Sequence, residues 1–261
     1  MEEEVNLLRL QLLNPSIKAI AVLVSVVLLA FVFDPLTPLL YLFFTVLITF
    51  IFGEVGIKKW CIRFIPFFII AFGYVWTTTV FSHPPSNTSF VTYVNVGPIE
   101  ITDYGLRTGL SLGLRVLCFA ALSLLFILTT DTTKFMLSLI QQCKLPPKLA
   151  YGILAGYRFL PLLKEEFTII RNAHRIRGVH REKGIKGRIQ LLKKYTIPLL
   201  ASAIRKAERT AIAMESKGFT GSRDRTFYHE LKINGKDVLF FFVMVGLFII
   251  SKYVSEALFF L

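Results

Sequence analysis

Cysteine is almost absent from this 261-residue chain: Cys61, Cys118 and Cys143 are scattered, and no two form a C-x-x-C pair. That excludes a disulfide framework and a thiolate metal site. No G-x-x-x-x-G-K-[ST] loop occurs, so any nucleotide hydrolysis belongs to another chain. H-E-x-x-H and G-x-S-x-G are missing too, as is any pair of carboxylates inside the apolar runs. The four histidines, His83, His174, His180 and His229, stand apart; His174 and His180 are six residues apart, off a common helix face. Residues 82–104 hold no Lys or Arg. Together these absences leave no catalytic constellation, and the chain reads as a non-enzyme without cofactor or metal.

What is present is apolar. Hydrophobic residues make up 54% of the chain, 25 of them Phe. Five runs approach the length of a bilayer crossing, which needs about 20 helical residues. They are Ile17–Phe33, Pro38–Phe52, Phe64–Phe81, Leu110–Thr129 and Val238–Ser251, the last resuming to Leu261. The start, Met1-Glu2-Glu3-Glu4, is acidic rather than basic, so the first run reads as a retained span and not a signal peptide. Leu7, Leu8, Leu10, Leu12 and Leu13 suit an interfacial start.

Charge fixes an expected orientation. Lys58, Lys59 and Arg63 follow the second run, whereas the connections at 34–37 and 82–104 carry no basic residue. The positive-inside rule then places the N-terminus, residues 53–63 and residues 131–236 in the cytoplasm, and residues 82–104 outside. Residues 164–236 hold 18 of the 30 Lys and Arg against 7 of the 17 acids. In a membrane protein a net charge of +13 points to anionic lipid or an acidic partner rather than nucleic acid. Pro84-Pro85-Ser86-Asn87 marks a loop in the outer segment.

The fold expected is all-α: about five transmembrane helices, with a cytoplasmic module of long amphipathic helices inserted before the last. The divisions are 1–130, 131–236 and 237–261. In the fourth span Gly105, Gly109 and Gly113 recur every four residues, a spacing that lets helices approach closely in lipid. Packing against a neighbouring span is the reading preferred over a partner-docking face. Arg115 lies two turns deeper than Arg107, where a charge is costly; a functional role, an internal ion pair and a carbonyl contact all remain open.

Within the insert, Thr129-Thr130-Asp131 caps a short amphipathic helix over Thr132–Cys143. Two long helical patterns follow, from about Lys148 to Arg177 and from about Lys186 to Lys217. Gly156, Leu160, Leu163, Phe167, Ile170 and Ala173 form an apolar stripe on the first. Leu200, Ile204, Ala207, Ala211 and Met214 form one on the second. Leu160, Leu163, Ile204 and Ala207 are expected to pack between the two helices or against the spans. Pro161 and Pro198 interrupt the patterns at matching places, with a bend expected at Pro161. Both patterns end on a cation and a glycine: Ile176-Arg177-Gly178 and Ser216-Lys217-Gly218. Taken as helix chemistry, the cation favours the negative end of the macrodipole and the glycine closes the helix. Taken as function, each is a helix end that inserts into a groove on another protein.

With Tyr157-Arg158-Phe159-Leu160-Pro161-Leu162-Leu163, Ala173-His174-Arg175-Ile176-Arg177-Gly178, Ile197-Pro198-Leu199-Leu200 and Ala213-Met214-Glu215-Ser216-Lys217-Gly218-Phe219, the chain resembles the transmembrane T component of energy-coupling factor (ECF) transporters, the EcfT/CbiQ-like family. The two tripeptides resemble that family's paired X-Arg-X signature, with Lys217 where Arg is usual and neither tripeptide opening on Ala. The resemblance implies an importer with two ATP-binding cassette subunits, a small membrane S component that binds substrate, and this chain coupling them through Ile176, Arg177, Gly178, Ser216, Lys217 and Gly218. It implies a vitamin cargo of thiamine or thiamine-precursor type, with cobalt or nickel as the alternative. A conventional ABC permease would show a Glu-Ala-Ala…Gly loop, which is not found, and a secondary transporter would need ionisable or broken-helix sites at mid-membrane, where only Arg115 qualifies.

Overall fold

The computed structural model describes residues 10–82, 92–96, 99–178 and 184–259. The expected N-terminal interfacial residues Leu7 and Leu8, the Pro84–Asn87 loop, His83 and His180 lie outside them. Among the described residues are eight α-helices, a 3-10 turn at Leu10–Leu12 and one small hairpin. The chain divides into two compact units: one runs to Ser138 and resumes at Glu230, and the other is Leu139–His229.

The first unit contains α1 (Pro15–Ala30), α2 (Leu36–Gly53), α3 (Ile57–Phe81), α4 (Asp103–Thr129) and α8 (Gly235–Phe259). Four of these, α2, α3, α4 and α8, are long and apolar enough to cross a bilayer. The first run falls short of the expected span. Asn14 accepts from the Ser16 amide at its start, Pro15 opens it, and the Asp34-Pro35 step lies just beyond. The 16 residues left reach about 24 Å, against roughly 30 Å of hydrocarbon. Conversely α2 begins before Pro38, and its 18 residues fall within the range of about 17–25 that membrane spans adopt. Between α3 and α4, β1 (Thr92–Val96) pairs antiparallel with β2 (Ile99–Thr102), Val94 opposite Ile101 and Val96 opposite Ile99. Apolar residues alternating with polar ones at 92–96 are the period-two signal behind it.

The core of this unit is built on α1, α2, α4 and α8, with Ala21, Leu29, Tyr41, Cys118, Leu122, Leu125 and Met244 buried. Tyr41 is central: its hydroxyl donates to Ser25 Oγ at 2.8 Å and its ring meets Phe248 edge to face at 5.7 Å. Trp60 stacks on Phe64 at 4.4 Å in a smaller cluster. Lipid offers no hydrogen bonds, so several buried polar groups are satisfied internally, although Trp60 Nε1 and Asn14 Nδ2 are buried without a partner. Ser25, Thr45, Thr49 and Ser251 each donate to the carbonyl four residues back. Lys18, only 1% exposed, donates to the Leu10 carbonyl at 2.5 Å, the Thr129 carbonyl at 3.0 Å and the Thr129 and Thr130 hydroxyls. Asp237 holds the start of α8, accepting from the Asn14 and Asn234 amides at 2.7 and 2.8 Å. Asp34, between α1 and α2, accepts from Thr37 and from the Ser255 hydroxyl at 2.6 Å. Burial pushes its carboxyl up, but these donors more than offset it and hold the group below its ordinary value.

The second unit is organised by α6 (Pro147–Ile176) and α7 (Ile185–Ser216); the unit boundary falls inside α5 (Thr132–Gln141). At 30 and 32 residues the two long helices measure about 45 and 48 Å. Helix runs through Pro161 and Pro198.

Candidate functional site

The two long helices run antiparallel, because residues late in α6 meet residues early in α7. Phe167 and His174 pack their rings on Tyr195 at 5.7 and 5.5 Å. Tyr151, near the start of α6, meets Phe219, just past the end of α7, at 5.5 Å. Between these contacts Glu166 accepts from the Ser202 hydroxyl at 2.8 Å and from Lys206. That pairing holds the Glu166 carboxyl below its ordinary value, through Lys206 first and Ser202 second.

The crossing leaves a groove of about 350 Å³, walled by Gly152, Ala155 and Gly156 from α6 and by Ala207, Ala211 and Met214 from α7. The apolar stripes therefore do not close on each other. Leu160 and Ile204, expected to pack, are 59% and 55% exposed, Ala207 is an exposed groove residue and Leu163 is half-buried. Larger residues meet at the ring contacts, and the small side chains at 152, 155, 156, 207 and 211 leave an open trough between.

Both basic tripeptides end their helices with a basic C-cap followed by a glycine of positive φ. Arg177 is the C-cap of α6, and its amide donates to the Ala173 carbonyl at 3.1 Å. Gly178 follows with φ +71° and donates to the Arg175 carbonyl. Lys217 is the C-cap of α7; Gly218, with φ +84°, donates to Glu215 at 2.9 Å, and the Phe219 amide donates to Met214 at 3.0 Å. That pair of bonds is the Schellman closure, which requires the left-handed backbone that glycine adopts without strain. Ile176, Arg177, Ser216 and Lys217 are all exposed, Ile176 to 87%. The ends are far apart. Lys217 lies 22 residues along α7 from Tyr195, which His174 touches, so about 33 Å of helix separates the two ends.

In the first unit the glycine row of α4 lies on α3. A Cβ at Gly105 would stand 2.8 Å from the Thr79 carbonyl oxygen, and one at Gly109 2.6 Å from Thr79 Oγ1 and 2.9 Å from the Val75 carbonyl oxygen. One at Gly113 would strike Val75 Cγ2 at 2.3 Å. Of the roles open to Arg115, the structure shows the carbonyl contact: its guanidinium donates to the Val32 carbonyl and lies 5.5 Å over the Phe33 ring. Among the described residues no His, Cys, Asp and Glu cluster could hold a metal.

Sequence reasoning did not find Glu166, the groove, or the fastening of residues 219–229 to the start of α6. Arg223 to Tyr228 mixes cations with aromatics, but their partners at 144 and 151 are some seventy residues away.

The family model described as "Cobalt transport protein" (CbiQ) matches residues 9–229. The chain is 29% identical to the energy-coupling factor transporter transmembrane protein EcfT of Streptococcus thermophilus, over 94% of this chain and 93% of that one. It is 30% identical to the protein of the same name from Streptococcus equi subsp. equi, over 91% and 90% of the two chains. With that of Bacillus subtilis it shares 32% identity over 60% and 61%. The chain belongs to this CbiQ/EcfT family of transmembrane components of energy-coupling factor transporters.

Proposed function

We propose that this transmembrane component transmits the conformational work of two ATP-binding cassette subunits to a substrate-binding S component in the same membrane, and that Arg177 and Lys217 are the two points of contact with the ATPases. The observation that carries this reading is the pair of exposed C-cap cations, each followed by a glycine of positive φ, about 33 Å apart at opposite ends of an antiparallel helix pair. One groove could not take both; two copies of a similar groove could. At each end the cation stands beside the last carbonyls of its helix, so a partner site with a carboxylate and backbone amides would complement both. Arg177 can hold a carboxylate through two parallel bonds, while Lys217 offers a single point charge, so the Arg177 contact is the stronger. The Glu166–Ser202–Lys206 cluster joins the two helices part-way along their length.

On this reading residues 131–236 face the cytoplasm and residues 82–104 the outside, with the charge asymmetry as support. Substrate choice lies in the S component; a vitamin of thiamine-precursor type is the cargo proposed, and cobalt is the rival that the family's description raises. Co-purification of the complex with its bound ligand separates the two. Labelling of intact cells with an impermeant thiol reagent, at Ser89→Cys but not Ser222→Cys in a cysteine-free background, is the result expected of this orientation; the reverse overturns it. The coupling reading is tested by pull-down of the ATPases and substrate uptake in Arg177→Ala, Lys217→Ala and the double variant. Normal assembly and uptake in the double variant would reduce both tripeptides to helix caps.

A further inference from the structure

The chain beyond Gly218 turns back along the start of α6. The guanidinium carbon of Arg225 lies 4.9 Å from the ring centre of Tyr151, 5.4 Å from that of Phe219 and 5.6 Å from that of Phe227. Further bonds fasten the same stretch. Arg223 donates to the Lys144 carbonyl at 3.0 Å, and the Gln141 amide donates to the His229 carbonyl at 2.8 Å. Gly221 passes so close to Lys148 that a Cβ there would meet its side chain at 2.5 Å. Among the described residues Arg225 has no ion pair; its cation serves the three rings.

Phe219 belongs to two structures at once. Its amide closes the helix end that presents Lys217, and its ring sits against Tyr151 under the Arg225 cation. Displacing Phe219 as a whole would therefore disturb the bond to the Met214 carbonyl that closes α7 beside Lys217. We propose that Arg225 is a positioning residue: by holding Phe219 on Tyr151, it sets the direction in which the Lys217 end meets its ATPase. This rests on the reading of Lys217 as a docking cation. The Arg177 end is built differently, on the ring contact of His174 with Tyr195, and owes nothing to Arg225.

The test uses the full chain co-expressed with its ATPases, with the native cysteines replaced and one cysteine placed beside each end, Ile176→Cys or Ser216→Cys, carrying a photo-crosslinker. Arg225→Ala is expected to lower the adduct from position 216 roughly threefold to tenfold, the range for a cation–π contact, and to leave that from position 176 unchanged. Tyr151→Leu should act like Arg225→Ala. Arg225→Lys keeps a cation over the rings and should restore most of the adduct. An unchanged adduct at 216, or an equal fall at both positions, overturns the positioning role. Lys217→Ala in the same assay separates the premise: if it leaves the 216 adduct and uptake intact, the docking reading fails whatever Arg225 does.

Discussion

The two units solve the same problem, how to place helices side by side, in opposite ways. In the first, α4 presents glycines to α3, so that backbone approaches backbone, and polar groups such as Lys18, Asp237 and Asp34 are satisfied inside the unit. In the second, α6 and α7 touch through two ring contacts and one Glu166 cluster, while Gly152 and Gly156 face open space. Glycine thus does different work in each. In lipid it supplies contact where apolar side chains gain nothing from leaving their solvent. In the second unit it leaves room. The first arrangement is closely packed; the second leaves an apolar trough and two exposed cations.

Five variants break or sharpen this contrast. The largest effect on folding is expected at Gly109, where a side chain would meet the Val75 carbonyl, which cannot yield as a flexible side chain can. Gly109→Leu should cost about 3 kcal/mol or more, read as loss of folded protein in a detergent melt. Gly156→Ala is its control: nothing stands within 4 Å, so the isolated chain should gain up to about 1 kcal/mol of helix propensity. A comparable loss at both positions would erase the distinction between the units.

Next comes the double substitution Arg177→Ala, Lys217→Ala. Each lost charged contact at an interface costs on the order of 2–5 kcal/mol of binding, so ATPase pull-down should fail while the melt of the chain alone stays put. A lowered melt would place these cations in the fold rather than on the docking surface.

Lys18→Met should cost about 1–3 kcal/mol, since it strands the buried carbonyls of Leu10 and Thr129. Chemical unfolding in micelles measures it; a neutral result would mean that water or lipid headgroups reach that end of the unit.

The smallest effect is pH-dependent. Glu166 has a depressed carboxyl, so its contribution is present above the ordinary value of 4.5 and fades as pH falls through the lower folded value. The difference in melting between the parent and Glu166→Gln should therefore narrow below about pH 4.5. A difference that holds constant down to pH 3 would show that the charge is not what binds Lys206.

Much of this was legible from the chain. Apolar runs report the spans because hydrocarbon tolerates little else, and a cation followed by glycine at 177–178 and 217–218 reports a helix end because few residues accept positive φ. The spacing of Gly105, Gly109 and Gly113 announced a close approach, though not that Thr79, Val75 and Ala71 would receive it. What the chain could not announce were pairings between distant residues. Lys18 sits inside an apolar run and reads as an error until Leu10 and Thr129 close around it. Leu160 and Ile204 carry a proper helical period, yet periodicity says only that a face is apolar, not whether this chain or another covers it. Arg225 reads as one more surface cation until the fold sets Tyr151 beneath it. Local backbone chemistry and the solvent preference of runs are properties of neighbours in sequence, so the sequence by itself determined four of the five expected spans, the long helices and their ends. Which faces meet, which stay open and which buried charges find partners depend on residues far apart in the chain, and only the tertiary structure decided those.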